Sequence, residues 1–199
     1  MIDGINSIAT DCDYVMLQPS FDPYARPVFH FLERVNPEVK EGFIRAISGL
    51  PEYALAEVLF RINPLSAKPT ALVSSKTFKN VHKKFKVGVF SRRPGGEVNN
   101  NLAIRGYRVD VVVGREDVGI GVIERKHIDL CIKRLEAKPE TTLVVSDSPK
   151  DLRRGKRLGA KTCGVNSGYH SKEEILMCNP TAVFPSAEEL FVSLYELKI

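Results

Sequence analysis

Residues 6–17 read NSIATDCDYVML, an apolar run that leads directly into two aspartates, Asp11 and Asp13. We interpret SIATDC, within this run, as the first strand of a sheet. Carboxylates are rarely buried without partners, so two of them at a strand end require a physical reason. The stretch therefore predicts both a buried strand and a negatively charged site where that strand ends.

The rest of the chain alternates between strand and helix patterns. Five further strands are predicted at residues 86–90, 108–114, 141–146, 161–165 and 181–184, with helical segments between them. Near-continuous apolar strands alternating with helices are typical of a parallel sheet covered on both faces. The predicted fold class is therefore α/β, with a Rossmann-like parallel sheet and helices on both faces.

One region breaks this alternation. Between about residues 20 and 83, helical segments follow one another without a convincing strand. This indicates a small all-helical cap inserted after the first strand. We accordingly expect residues 1–19 and 84–199 to form the α/β core and residues 20–83 to form the cap.

Composition limits the class of protein. The 199 residues are 43% hydrophobic and 27% charged, as expected of a globular domain with a small additional module. No apolar run approaches the roughly 20 residues of a membrane span, and the N-terminus lacks the features of a secretory leader. Four scattered cysteines without C-x-x-C spacing argue against a zinc site and for reduced thiols, so we expect a cytoplasmic location. The net charge of +5 mildly favours anionic ligands.

Polar residues follow three of the predicted strands. Asp11 and Asp13 follow the first, Ser91 follows the strand at 86–90, and Asp147 and Asp151 follow the strand at 141–146. In an open parallel sheet, the carboxyl ends of the strands form the edge where ligands bind. Aspartates that meet at one edge repel each other, and a divalent cation offsets that repulsion. Mg²⁺ fits best because it prefers hard oxygen ligands and retains waters and a substrate phosphate in its shell.

Three of these stretches resemble the motifs of a known family. IATDCDYVML is similar to the first motif of the haloacid dehalogenase (HAD) superfamily of phosphohydrolases, an apolar run followed by D-x-D. VGVFS resembles the second motif, an apolar strand ending in Ser or Thr. LVVSDSPKD resembles the fourth, an apolar strand followed by (G/S)DxxxD. The resemblance covers residues 1–20 and 84–199 and favours the phosphoglycolate phosphatases among these enzymes.

The third motif departs from the family pattern. The family usually has a lysine soon after the segment that DVGIG resembles here, but Val122 directly follows Gly121. Lys126 lies four residues further on, and Arg125 precedes it. We assign the third-motif role to Lys126, with Arg125 as the alternative.

The resemblance implies roles for the two N-terminal aspartates and for the metal. Asp11 is the expected nucleophile, which attacks phosphorus to form an aspartyl-phosphate, and Asp13 is the expected general acid and base. Asp11, Asp147 and the backbone carbonyl of Asp13 are the expected Mg²⁺ ligands from the protein.

The remaining motif residues have supporting roles by the same resemblance. Ser91 and Lys126 are expected to bind the phosphoryl oxygens. Asp151 is expected to orient Lys126 or a metal-bound water. Together these roles predict a Mg²⁺-dependent phosphatase that hydrolyses a small phosphate monoester.

Alternative functions were weighed against this one. A receiver-type signalling domain phosphorylates an aspartate after its third strand, which does not match the order here. A haloalkanoate dehalogenase would need neither Asp13 nor a metal. A phosphomutase on the same core, and a catalytically weak HAD-like protein that binds phosphate or a polyanion, remain open. The lysine run at residues 76–86 matches no nucleic-acid-binding motif, so the expected partner is a small phosphorylated metabolite.

Overall fold

The computed structural model describes residues 2–13, 15–18, 70–118, 126–168 and 170–196. Its strands are β1 (Ser7–Asp11), β2 (Leu17–Gln18), β3 (Thr70–Ala71), β4 (Lys86–Phe90), β5 (Val111–Val113), β6 (Thr142–Ser146), β7 (Lys161–Val165) and β8 (Ala182–Phe184). Its helices are α1 (Ser75–His82), α2 (Gly95–Ile104), α3 (Arg115–Val118), α4 (Lys126–Arg134), α5 (Pro149–Arg157), α6 (Lys172–Leu176) and α7 (Ala187–Glu196), and a 3₁₀ turn spans Pro139–Thr141.

Six of the strands form one parallel sheet in the order β5-β4-β1-β6-β7-β8. Counted along the chain among these six, the order is 3-2-1-4-5-6, which is that of the doubly wound nucleotide-binding fold. The order reverses between β1 and β6. Ligands of such sheets bind beyond the carboxyl ends of the strands at this reversal.

The register brings the ends of the central strands level with one another. Asp11, the last residue of β1, pairs with Phe90, the last residue of β4. On its other side β1 aligns Thr10 with Val145, so that β6 ends one residue later at Ser146. The residues directly after β1, β4 and β6 therefore leave the sheet at one edge.

The two faces of the sheet carry separate apolar clusters. Successive residues of a strand point to opposite faces, and Ile8 and Ala9 accordingly belong to different clusters. The Ile8 face packs against α1, α2 and α7. The Ala9 face packs against α4, whose buried side chains are Ile128, Cys131 and Ile132. This arrangement confirms the α/β fold with helices on both faces.

Capping side chains mark where several helices begin. The Ser74 hydroxyl accepts a hydrogen bond from the Thr77 N–H at the start of α1. Ser171 and Glu174 form a reciprocal capping box at α6. These bonds satisfy backbone donors that the first turn of a helix leaves unpaired.

The chain divides into two compact units, residues 1–17 with 71–199, and residues 18–70. The expected end of the cap at residue 83 is therefore corrected, because α1 (Ser75–His82) belongs to the unit that holds the sheet. It buries Phe78 and Val81 there and packs against α7. The apolar spacing predicted a helix but could not show which neighbour it packs on. The helical structure expected for the rest of the cap falls on residues outside the described ranges.

All four cysteines are buried free thiols, and Cys12 and Cys163 lie in the core. None of the helices within the described ranges has the length and apolar character needed to cross a membrane.

Candidate active site

The acidic side chains predicted from the strand ends converge at the reversal of strand order. Asp11 closes β1, and its Oδ1 atom accepts a hydrogen bond from the Cys12 N–H at 2.7 Å. Asp147 directly follows β6, and Asp151 lies in the first turn of α5. Both Asp147 and Asp151 are buried. The parallel pairing of β1 with β6 is what places these carboxylates together.

A buried serine hydroxyl organises this group. Ser146 Oγ lies 3.0 Å from Asp151 Oδ2, to which it donates, and 3.5 Å from Asp11 Oδ2. The same oxygen accepts the Ser148 N–H at 3.0 Å. Ser146 is completely buried, so these partners replace the hydrogen bonds that water would otherwise supply. The fourth-motif strand thus fixes the Asp151 carboxylate near Asp11.

The electrostatics of the group favour a bound cation. Burial, reinforced by the charges of Asp151, Asp147 and Asp13, raises the pKa of Asp11 well above its ordinary value. Burial and the Asp151 charge likewise raise the pKa of Asp147 to about 7. The positive charge of Arg92 opposes both shifts. Carboxylates destabilised in this way would regain their ionised form if a cation bound between them.

The residues present fit a magnesium ion. The described side chains hold no cluster of three or more acidic, histidine or cysteine residues arranged to bind a metal by themselves. The expected donor set needs only two carboxylates, from Asp11 and Asp147, with a backbone carbonyl from Asp13, and Mg²⁺ commonly completes its shell with water and substrate phosphate.

Gly168, in the loop after β7, gives the Asp147 carboxylate the space it occupies. A Cβ on Gly168 would lie 1.6 Å from Asp147 Oδ2, so no larger residue fits there without moving the carboxylate.

Ser91 and Asp13 are linked through an arginine. The Ser91 hydroxyl accepts the backbone N–H of Arg93 at 3.1 Å. The Arg93 side chain reaches across to Asp13, where its Nε donates to Oδ2 at 3.0 Å. Ser91 itself is buried and is held beside β5 by the bond from its N–H to the Val113 carbonyl at 2.9 Å. The structure thus brings Asp11, Asp13, Ser91, Asp147 and Asp151 to one edge of the sheet.

The structure places Lys126, the expected third-motif residue, on the protein surface. Lys126 is the first residue of α4 and is exposed. Within the described parts of the chain it forms no ion pair. Arg125, its alternative, lies outside the described residues. The phosphate-binding role of this position therefore remains a prediction.

Several residues of the site were not predicted. Arg92 and Arg93 belong to the stretch SRRPGG, where two cations directly follow a motif strand, and this juxtaposition was an available signal. Gly168 had no comparable signal, because its proximity to Asp147 depends on how the loop after β7 folds back.

The chain is similar in sequence to a hydrolase family and to known phosphatases. Residues 120–190 match the HAD-hydrolase-like family model. The chain is 29% identical over 119 residues to the pyrophosphatase PpaX of Anoxybacillus flavithermus, covering 57% of this chain and 54% of that protein. It is 31% identical over 84 residues to a phosphoglycolate phosphatase of Salmonella choleraesuis, covering 42% and 33%. The chain thus spans about half and about a third of the lengths of these curated relatives.

A solved structure shares the fold over nearly the whole chain. A hydrolase of the haloacid dehalogenase-like family from Streptococcus pneumoniae superposes with a TM-score of 0.68 at 11% identity, covering 96% of this chain and 98% of that one. At this identity the likeness concerns the fold alone. The strand order, the order of polar residues at the strand ends and the sequence matches together make this chain similar to proteins of the haloacid dehalogenase superfamily, phosphoglycolate phosphatase among them.

Proposed function

We propose that this protein is a Mg²⁺-dependent phosphatase that hydrolyses a small phosphate monoester through an aspartyl-phosphate. The observation that carries the proposal is the placement of Asp11 and Asp147 at the ends of neighbouring strands, where burial and the charges of other carboxylates raise the pKa of both. A titratable cluster with strongly shifted pKa values in a sheet-edge crevice is typical of a catalytic site. Matches to enzymes named as phosphatases and a pyrophosphatase support the same reaction class.

The first half-reaction follows from the side chains at the edge. An oxygen of the Asp11 carboxylate attacks phosphorus, the bond from phosphorus to the leaving oxygen breaks, and Asp13 gives its proton to that oxygen. The products are an alcohol and a phosphorylated Asp11. Ser91 would donate a hydrogen bond to the phosphoryl oxygens, and Lys126 or Arg125 would add a positive charge beside them.

The second half-reaction returns the enzyme to its starting state. Water attacks phosphorus, Asp13 takes a proton from that water, and the bond between phosphorus and Asp11 breaks to release phosphate. Asp11, Asp147 and the carbonyl of Asp13 would hold Mg²⁺, which when bound neutralises charge on the phosphoryl group. Asp151, fixed by Ser146, would orient a group beside this centre.

A generic aryl phosphate tests the reaction class. We expect the protein to release p-nitrophenol from p-nitrophenyl phosphate in Mg²⁺ and to stop in excess EDTA, with recovery when Mg²⁺ is restored. Absence of turnover on this compound and on a metabolite panel would favour a catalytically weak phosphate-binding protein. If a sugar phosphate is converted to its isomer without release of inorganic phosphate, the protein is a phosphomutase.

The substrate is proposed to be a small phosphorylated metabolite. A panel of phosphorylated acids and sugars, tested beside a phosphopeptide and a 5′-phosphorylated oligonucleotide at matched concentration, decides this. Preference for either macromolecule would contradict the proposal. The four buried free thiols favour a reducing compartment, so we also propose a cytoplasmic location.

A further inference from the structure

Arg93 holds three groups at the acidic edge of the sheet. Its Nε donates to Asp13 Oδ2 at 3.0 Å and its Nη1 donates to Glu97 Oε1 at 3.0 Å. Its backbone N–H donates to Ser91 Oγ at 3.1 Å. One residue therefore fixes the expected proton donor and the expected phosphate-binding hydroxyl at a set spacing.

The contact between Arg93 and Asp13 is more enclosed than an ordinary surface ion pair. The Arg93 side chain is 13% exposed and that of Asp13 is 27% exposed. Exposed pairs contribute little to stability, and enclosing a guanidinium costs desolvation free energy that one bond to one carboxylate does not easily offset. Glu97, in the first turn of α2, supplies the second carboxylate that offsets this cost.

We propose that Arg93 is the positioning residue for Asp13, and that it holds this carboxyl group where it can protonate the leaving oxygen. The inference rests on the phosphatase function proposed above. Arg93 itself transfers no proton, because a guanidinium stays protonated at any working pH. It acts through Asp13, which must lie within hydrogen-bond distance of the leaving oxygen as the bond to phosphorus breaks.

A positioning role predicts a dependence on the leaving group. An alkyl alcohol leaves phosphorus only if its oxygen is protonated, whereas p-nitrophenolate leaves without a proton. The parameter kcat/KM reports on the steps up to release of the alcohol, in which Asp13 acts as the acid. Disordering Asp13 should therefore slow the cleavage of an alkyl phosphate much more than that of p-nitrophenyl phosphate.

The test compares Arg93→Met, Arg93→Lys and Glu97→Gln on glycerol 2-phosphate, or on the best alkyl monoester of the panel, and on p-nitrophenyl phosphate. For Arg93→Met we expect kcat/KM on the alkyl ester to fall about 100-fold and that on the aryl ester to fall less than about fivefold. Arg93→Lys should recover part of the loss, and Glu97→Gln should show a smaller change in the same direction.

Arg154→Met is the matched control. Arg154 also pairs with an aspartate, since its Nε donates to Asp129 Oδ1 at 2.8 Å, and it is similarly enclosed at 20% exposure. We expect this variant to keep the wild-type ratio of the two kcat/KM values. If Arg93→Met does not fold, Arg93→Lys and Glu97→Gln carry the same ratio test.

Two results would overturn the inference. Equal loss on both esters would make Arg93 a structural residue, and a rise in KM with unchanged kcat on both would make it a substrate-binding residue. Failure of the proposed function is recognised separately, because the wild-type protein would then hydrolyse neither ester.

Discussion

Two aspartates at the carboxyl edge of the sheet, Asp11 and Asp147, differ from Asp117 on a surrounding helix in how their charge is balanced. Asp117, on α3, accepts from the Arg134 guanidinium at 2.6 Å and from the Gly114 N–H at 2.8 Å, and the bond to Arg134 lowers its pKa. Asp11 and Asp147 instead face other carboxylates, and burial raises the pKa of each. Balanced carboxylates stabilise a fold, whereas a buried group of unbalanced ones is maintained for ligand binding or catalysis.

The largest effect expected from this contrast is on turnover. Asp11→Asn keeps the side-chain shape but removes the attacking charge and a metal ligand, so we expect phosphatase activity to fall about 10⁴-fold or more. The fold should be retained, because the variant relieves repulsion within the acidic group. Steady-state kinetics with a thermal melt measures both.

Asp117→Asn is the corresponding change in the balanced group and should leave activity within about twofold of wild type. Nearly normal turnover in Asp11→Asn would end the aspartyl-phosphate proposal.

The next largest effect is expected on kcat/KM when the cation that balances the substrate phosphate is removed. If Lys126 fills the third-motif role, Lys126→Ala should lower kcat/KM about 100-fold or more, the loss typical of one preorganised donor. If kcat/KM is nearly normal in Lys126→Ala and strongly reduced in Arg125→Ala, the role belongs to the arginine. Full activity in both variants would show that neither residue contacts the phosphate.

A smaller effect is expected where the backbone, and not a side chain, shapes the acidic site. Gly168→Ala places a methyl group in the space occupied by the Asp147 carboxylate, so the carboxylate must move. Displacement of a group that supports a metal site typically costs 10- to 100-fold in metal affinity or activity, and we expect about that loss, with part of it recovered at high Mg²⁺.

Gly4→Ala is a matched control for the Gly168 variant, because a Cβ on Gly4 meets nothing within 4 Å. Since the φ of Gly4 is +69°, we expect this control to lose some stability. An unchanged Mg²⁺ requirement in Gly168→Ala would show that Asp147 does not set metal affinity.

The smallest effect concerns the pH dependence of stability without metal. Asp147 binds its proton more tightly when folded, so its stabilising contribution is lost as pH rises from about 4 towards 7. Asp117 has a lowered pKa, so its contribution is present at neutral pH and is lost in acid. Asp147→Asn should therefore raise the free energy of unfolding at pH 8, and Asp117→Asn should lower it by about 1 kcal/mol or less.

Denaturant titration in EDTA at pH 4, 6 and 8 measures these differences. The gain in Asp147→Asn should shrink towards pH 4. Addition of Mg²⁺ should stabilise the wild-type protein at pH 8 and should have much less effect on Asp147→Asn. A gain that persists unchanged at pH 4 would mean that the buried charge of Asp147 is not its cause.

The sequence by itself determined the elements of the sheet and the residue types at their ends. Apolar runs of about five residues are local patterns, and local patterns suffice to predict strands. The order of aspartate, serine and aspartate along the chain likewise sufficed to indicate the family. The strand and helix patterns depend on neighbours within one strand or a few turns of helix, and the order of the motifs is read directly from the chain.

Only the tertiary structure decided which of these pieces meet. Arg93 reaches Asp13 from 80 positions away, and Gly168 lies against Asp147 because β7 pairs with β6. Helix α1 joined the sheet and not the predicted cap, since its apolar face packs on α7 at the far end of the chain. Such contacts depend on how strands are ordered and loops are closed, and no local spacing of residues encodes them.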